Sequence, residues 1–105
     1  MSAVEPEAVR DDAPHNHFVT ERDGAVAQLV YEVDDGRLLV LHTEVPDAFQ
    51  GQGVGGQLVT AALDKARAEK LTIVPWCPFA RGWLRRHPDV AATVDIDWKT
   101  PPPHP

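Results

Sequence analysis

Two Asp-Gly pairs, Asp23-Gly24 and Asp35-Gly36, separate three runs of β-type residues, "HFVTE", "AVAQLVYEV" and "RLLVLHTEV". Asp-Gly suits the tightest hairpin turns, whose two central residues both need positive φ: glycine has no Cβ to clash, and aspartate tolerates the left-handed region. Two such turns so close together commit this part of the chain to an antiparallel β-meander. With 105 residues in total, there is room for one small domain around a single core.

The meander is followed by a glycine-rich stretch, "DAFQGQGVGGQLV", that runs directly into "GGQLVTAALDKARAEK". In the latter, Leu58, Ala61, Ala62 and Leu63 fall on one stripe and Lys65, Arg67, Glu69 and Lys70 largely on the other, the pattern of an amphipathic helix covering a sheet. "LTIVPW" then reads as a short strand ended by Pro75 and Pro78, and "FARGWLRRH" as a second, shorter helix closed at His87-Pro88. The order β-β-β-α-β-α joins a parallel crossover to an antiparallel meander, so the expected class is α/β (α+β) with a mixed sheet. Residues 1–15 are acidic and lack apolar periodicity, which predicts a disordered tail; 16–98 form the domain; 99–105, "KTPPPHP" and the residues around it, predict a proline-rich C-terminal tail.

The formal net charge of -6 excludes a general nucleic-acid or acidic-membrane binder and favours an amine or other cationic partner. A single cysteine allows no internal disulfide, no apolar run is long enough to span a bilayer, and the N-terminus has no signal-like apolar core. A cytoplasmic protein, with a monomer favoured, is the expectation.

Gly51, Gly53, Gly55 and Gly56 crowd the entrance to the long helix. Glycines there let backbone N–H groups converge on an anion, and the helix N-terminus adds partial positive charge, so a phosphate is the expected guest. A nucleotide-hydrolysing P-loop would end in Gly-Lys-Ser/Thr, but the sequence reads Gly56-Gln57-Leu58. The dinucleotide pattern G-x-G-x-x-G is formally met by Gly51, Gly53 and Gly56. Five residues separate it from Val45, however, and the strand "LTIVPW" lacks the acidic residue that would bind a ribose.

Gln50-Gly51-Gln52-Gly53-Val54-Gly55 matches the Q/R-x-x-G-x-G/A signature of the GNAT superfamily, the acetyl-CoA-dependent N-acetyltransferases. Together with "VPWCPF" and "WLRRHPD", the stretch "HTEVPDAFQGQGVGGQLV" resembles the very small GNAT-like family with a PxCPF motif, over about residues 16–90. The resemblance implies a compact minimal GNAT fold, splayed open beside the glycine loop, that binds acetyl-CoA (coenzyme A) and transfers the acetyl group to a primary amine, possibly on a protein or peptide. It implies that backbone amides of Gln52, Gly53, Val54 and Gly55, with Gln50, Gly51 and Gly56 close by, hold the pyrophosphate. The alternative is a CoA-binding module without catalysis that works through a protein partner.

In that family a cysteine in the PxCPF context lies beside the thioester, which points to Cys77 as covalent relay or as cleft wall; free cysteines are also common small hydrophobes of a core. The period of two along "RLLVLHTEV" puts Leu38, Val40, His42 and Glu44 on one face and Leu39, Leu41, Thr43 and Val45 on the other. His42 is then a candidate base, for an attacking ammonium or for Cys77, or a histidine with only hydrogen-bonding duties. Arg85 and Arg86 suit a solvated helix end or a phosphate, and Trp76, Trp83, Phe49 and Phe79 suit the core or cleft wall. His15, His17 and His104 show no ligand spacing with other donors, so no metal site is expected.

Overall fold

The computed structural model describes residues 9–49 and 51–102. The strands are β1 (Arg10–Asp12), β2 (His17–Arg22), β3 (Ala25–Asp34), β4 (Arg37–Glu44) and β5 (Thr72–Pro75). The helices are α1 (Val54–Glu69), α2 (Pro78–Arg86) and the short α3 (Pro88–Ala91). The strands form one sheet in the order β1-β2-β3-β4-β5. The first four run antiparallel and β5 joins β4 in parallel, which is the mixed sheet the element order predicts.

Both Asp-Gly pairs make the turns their chemistry favours. Asp23 and Gly24 have φ of 50° and 81°, and Asp35 and Gly36 have φ of 52° and 75°, so both central residues are left-handed as a type I′ hairpin requires. These turns fix the register of β2, β3 and β4. The alternation of side chains then gives one sheet face to Phe18, Leu29, Tyr31, Leu38 and Val40, and α1 lies over it.

From α1, Leu58, Val59, Ala62, Leu63 and Ala66 are buried in the same cluster, at the i, i+3/i+4 spacing of one helical stripe. Leu58 and Leu63 are essentially inaccessible to solvent, and each such side chain contributes roughly 1.5–3 kcal/mol by leaving water. The helix ends at Lys70, which takes the left-handed conformation and donates its backbone N–H to Ala66 O. The small alanines let α1 sit close to the sheet.

Two departures from the sequence reading extend the fold at its ends. Residues 10–12, expected in the acidic tail, pair with β2 as strand β1, Arg10 opposite Val19 and Asp12 opposite His17. Local propensity gives no hint of a strand in Arg-Asp-Asp. Side chains supply the reason: Asp11 accepts from the Tyr31 hydroxyl of β3 and, at 2.8 Å, from Lys65 Nζ of α1, which also meets Glu69 at 2.9 Å. The tail expected over residues 1–8 lies outside the described residues.

At the other end, residues 95–97 run along the free edge of β5. Ile73 N–H donates to Asp95 O and Asp97 N–H donates to Ile73 O, both at 2.8 Å. Asp97 in turn accepts from the Thr100 hydroxyl and from the backbone N–H groups of Thr100 and Lys99, which hold its carboxyl down to about 2. Trp76 Nε1 donates to Thr100 O at 2.8 Å. The start of the proline-rich segment is thus anchored to the domain.

Candidate functional site

Strands β4 and β5 separate where proline interrupts the ladder. Their last pair is Val40 with Pro75. Pro75 has no N–H to donate, and the next two donors, Trp76 N–H and Cys77 N–H, both converge on Val40 O at 3.1 and 3.0 Å. Cys77 is extended (φ -70°, ψ 123°) and caps α2, with Pro78 at the first helical position where its missing N–H costs nothing. Strand β4 continues to Glu44 with β3 as its strand neighbour, so Leu41–Glu44 diverges from the chain entering α2.

Beyond the strand, a 3-10 turn, Asp47–Phe49, buries Phe49 and leads into the glycine loop. Gly51 and Gly53 have φ of 76° and 69° and are exposed, with open space where a Cβ would be; they serve the backbone path. Gln52 ties the loop back by donating its N–H to Phe49 O and its side-chain Nε2 to Ala48 O. Gln50 lies outside the described residues. Gly53 is the N-cap and no side chain caps the helix; Gln57 N–H to Gly53 O, at 3.1 Å, opens the ladder of α1. The N–H groups of Val54, Gly55 and Gly56 precede that ladder and have no carbonyl within the helix, which makes this end a place for an anion.

Gly55 and Gly56 have a different reason to be glycine. A Cβ on Gly55 would stand 2.4 Å from the Phe79 ring, and one on Gly56 would stand 2.7 Å from Trp83 Nε1. Both aromatics belong to α2. Trp83 is held in place by His87, whose ring stacks on it at 4.0 Å and whose Nδ1 bonds Trp83 O at 2.8 Å. The four glycines therefore divide into two that bend the loop and two that let α2 close on the first turn of α1.

Cys77 is 3% exposed and its thiol donates to Thr43 Oγ1 at 3.3 Å, on the α1 side of the sheet. His42 is elsewhere. The register of β3 and β4 slips so that Tyr31 faces Val40 and Val30 faces His42, leaving Leu41 as an extra residue. Past this bulge Thr43, opposite Leu29, shares the face of Val40, and His42 turns to the other face. The expected set Leu38, Val40, His42 and Glu44 is thus broken in the middle, and His42 is not placed to deprotonate Cys77. It remains beside Glu44, as expected, with Nε2 3.9 Å from Oε2 and both side chains exposed.

On that same face a row of polar side chains crosses four strands. Asp12 Oδ2 lies 3.0 Å from His17 Nε2; His17 Nδ1 lies 2.7 Å from Gln28 Oε1; Gln28 Nε2 donates to Glu44 Oε1 at 2.9 Å. Asp12 and His17, and Gln28 and Glu44, are directly opposed cross-strand pairs, and the His17–Gln28 contact links them diagonally. His15 Nδ1 reaches the same Asp12 oxygen at 2.9 Å. Hydrogen bonds, the one from His17 first, hold the Asp12 carboxyl below its ordinary value despite partial desolvation. No spacing rule within one segment could have found this row, because its members meet only through strand register.

Arg85 lies over the Trp98 ring at 4.8 Å, and Arg81 at 5.5 Å, so Arg85 is engaged in packing α2 against the C-terminal segment. Among the described residues, no helix is long and apolar enough to cross a membrane.

A family model described as GCN5-related N-acetyl-transferase matches residues 17–94. Protein NATD1 of Gallus gallus is 34% identical over 86 residues, covering 79% of this chain and 78% of that protein. Protein NATD1 of Homo sapiens is likewise 34% identical, covering 79% and 76%. A solution structure of a GCN5-like protein from Staphylococcus aureus superposes with a TM-score of 0.64 at 29% identity, covering 94% of this chain and 96% of that one. With the match running from β2 through α3, and the fold of a solved relative reproduced over nearly its whole length, the chain belongs to the GCN5-related N-acetyltransferase family.

Proposed function

We propose that the chain binds acetyl-CoA at the glycine loop and transfers its acetyl group to a primary amine, carried on a protein or peptide. One observation carries the reading: the β4–β5 ladder ends at Val40 and Pro75, while the glycine loop leads into a long helix with no side-chain cap. The donor set fits a diphosphate, since the N–H groups of Gly53, Val54, Gly55 and Gly56 lie in or just after a turn bent by Gly51 and Gly53, while Gln52, whose own N–H goes to Phe49 O, braces that turn. Gln50 completes the signature on its N-terminal side.

Bound acetyl-CoA supplies a thioester that is already activated toward an amine. The protein's own work is then positioning, hydrogen bonding and the removal of one proton. Buried and donating to Thr43, Cys77 shapes the floor of the divergence between β4 and α2, and the amine attacks directly without a relay through sulfur. His42, exposed on the other face, takes the proton that the ammonium must lose, and Glu44 beside it attracts the cation. An exposed acceptor side suits an amine presented by a large partner.

The opposition of Cys77 and His42 on different faces also favours a second reading, a CoA-binding module without turnover. Calorimetric titration with CoA, paired with thiol release in the presence of amine peptides, separates the two. Gly53→Ala should weaken CoA binding about tenfold, the equivalent of one charge-assisted hydrogen bond. His42→Ala should slow transfer by about a hundredfold with CoA binding intact, and Cys77→Ala should leave transfer within a few-fold. Binding without transfer to any peptide favours the module; absence of CoA binding refutes both.

A further inference from the structure

The row on the far face of the sheet ends in three groups that converge without any role in the proposed transfer. Asp12 Oδ2, His15 Nδ1 and His17 Nε2 all lie within 4.8 Å of one another, with the carboxylate oxygen 2.9 and 3.0 Å from the two ring nitrogens. Two ligands bonded to one tetrahedral zinc ion stand about 3.3 Å apart, so the two carboxylate–nitrogen distances need to open by only a few tenths of an ångström, and the exposed His15 ring can turn to bring its nitrogen to the matching distance from His17.

The backbone holds the three groups in this arrangement. Ala13–His15 forms a 3-10 turn between β1 and β2, and Asn16 closes it in the left-handed conformation with φ of 56°, which asparagine adopts more readily than most residues. Asn16 N–H donates to Ala13 O at 3.0 Å, and Tyr31 N–H donates to Asn16 O at 2.9 Å, so the turn is tied both to itself and to β3. This turn brings His15 and His17 round onto the same carboxylate.

The second reason lies in the direction of the hydrogen bonds. Gln28 gives its amide N–H to Glu44, which turns its carbonyl oxygen toward His17 Nδ1. That nitrogen must therefore carry a proton. His17 Nε2 then faces a carboxylate oxygen, and two lone pairs would oppose each other unless a proton or a cation lies between them. A histidine whose other nitrogen is fixed by an amide oxygen is the usual support of a metal ligand, since that bond sets both tautomer and ring angle.

We infer that Asp12, His15 and His17 form a binding site for a divalent transition-metal ion of the zinc class. Two imidazole nitrogens and one carboxylate oxygen suit zinc and its neighbours better than calcium or magnesium, and water completes the coordination. On binding, the ion takes the place of the His17 Nε2 proton, which leaves to solvent, while His15, bound through Nδ1, keeps its proton on Nε2. The ion clamps the β1–β2 connection, and through Gln28 its ligand His17 is connected to Glu44 at the end of β4.

The test uses the untagged full-length chain, freed of metal and titrated with Co²⁺ by visible absorption, then with Zn²⁺ in competition. One equivalent is expected to bind. His15→Ala and His17→Ala should abolish the Co²⁺ spectrum, and Gln28→Leu, which removes the support of His17 together with the bond to Glu44 but no ligand, should weaken binding about 10-fold to 100-fold. Cys77→Ser and His104→Ala should bind as the parent does. Because the His15 side chain is 75% exposed, its removal leaves the fold intact by circular dichroism, and this variant decides the matter even if another fails to fold. No saturable binding by the parent, undiminished binding by His15→Ala, or loss on Cys77→Ser alone would overturn the assignment.

Discussion

Tyr31 is the chain's single tyrosine, which lets one spectroscopic titration report on one hydroxyl. Burial, and then the hydrogen bond to Asp11, push its pKa from 10.0 up to about 12. The ultraviolet phenolate signal of the folded protein should accordingly have its midpoint near 12 rather than 10, and Asp11→Ala should bring it part of the way down. A midpoint at the ordinary value would mean that β1 does not close over Tyr31. The glycines make a second residue-scale prediction. Gly56→Ala drives a methyl into the Trp83 indole and should cost about 1–3 kcal/mol in urea denaturation, as overpacking does. Gly53→Ala meets no atom but forces a side chain to φ of 69°, and should cost about 1–2 kcal/mol. If the two changes cost nothing, the division of the glycines into packing and bending roles is wrong.

At the scale of elements, the two ends of the sheet depend on side chains rather than on ladder length. Strand β1 is only three residues long and pairs with β2 alone; its ties to the rest are Asp11 to Tyr31 and Lys65, and Asp12 to His17. Asp11→Ala should speed amide hydrogen exchange in residues 10–12 while exchange in β3 stays slow, a local opening rather than a global one. Equal acceleration in β3 would show that β1 is part of the cooperative unit. Helix α2 is pinned from the other side by Arg81, which donates to Pro75 O and Trp98 O, and by the stacking of Arg81 and Arg85 on Trp98. Loss of that ring in Trp98→Ala should destabilise by about 1–3 kcal/mol and loosen α2 over Gly55 and Gly56. Thermal denaturation reads the first effect, and exchange in residues 78–86 reads the second.

For the whole molecule, alkaline pH is the condition that attacks the link between β1, the sheet and α1. Both Tyr31 and Lys65 have pKa values raised in the folded state, Tyr31 by burial and Asp11, Lys65 by its hydrogen bond to Asp11. A raised value means that the folded protein holds the proton more tightly than the unfolded chain does, so this stabilisation is complete below pH 10 and is lost as pH climbs through the folded values. The thermal midpoint should therefore fall steeply between about pH 10 and 12. Tyr31→Phe, which has no proton to lose, should fall less steeply over the same window; parallel curves would discount the linkage.

Much of this architecture could be read without coordinates because it rests on local chemistry. Asp23-Gly24 and Asp35-Gly36 dictated their turns, the turns dictated the meander, the stripe of Leu58, Ala62 and Leu63 dictated which way α1 faces, and Pro75 and Pro78 dictated where β5 stops. What escaped was whatever depends on how one segment meets another. The alternation rule counts along a single strand, whereas the bulge at Leu41 is a property of the β3–β4 pair, and it alone moved His42 away from the face of Cys77. That Gly55 and Gly56 also make room for Phe79 and Trp83 becomes visible only once α2 is in place. Asp12, His15 and His17 are unremarkable in a polar stretch; a left-handed asparagine and the pairing of β1 with β2 turn them toward one another. Sequence by itself determined the backbone path from β2 to α2, since hairpin turns and helix amphipathicity act over a few residues. Only the tertiary structure decided which side chains share a space, because register and helix–helix approach are set by the packing of the whole core.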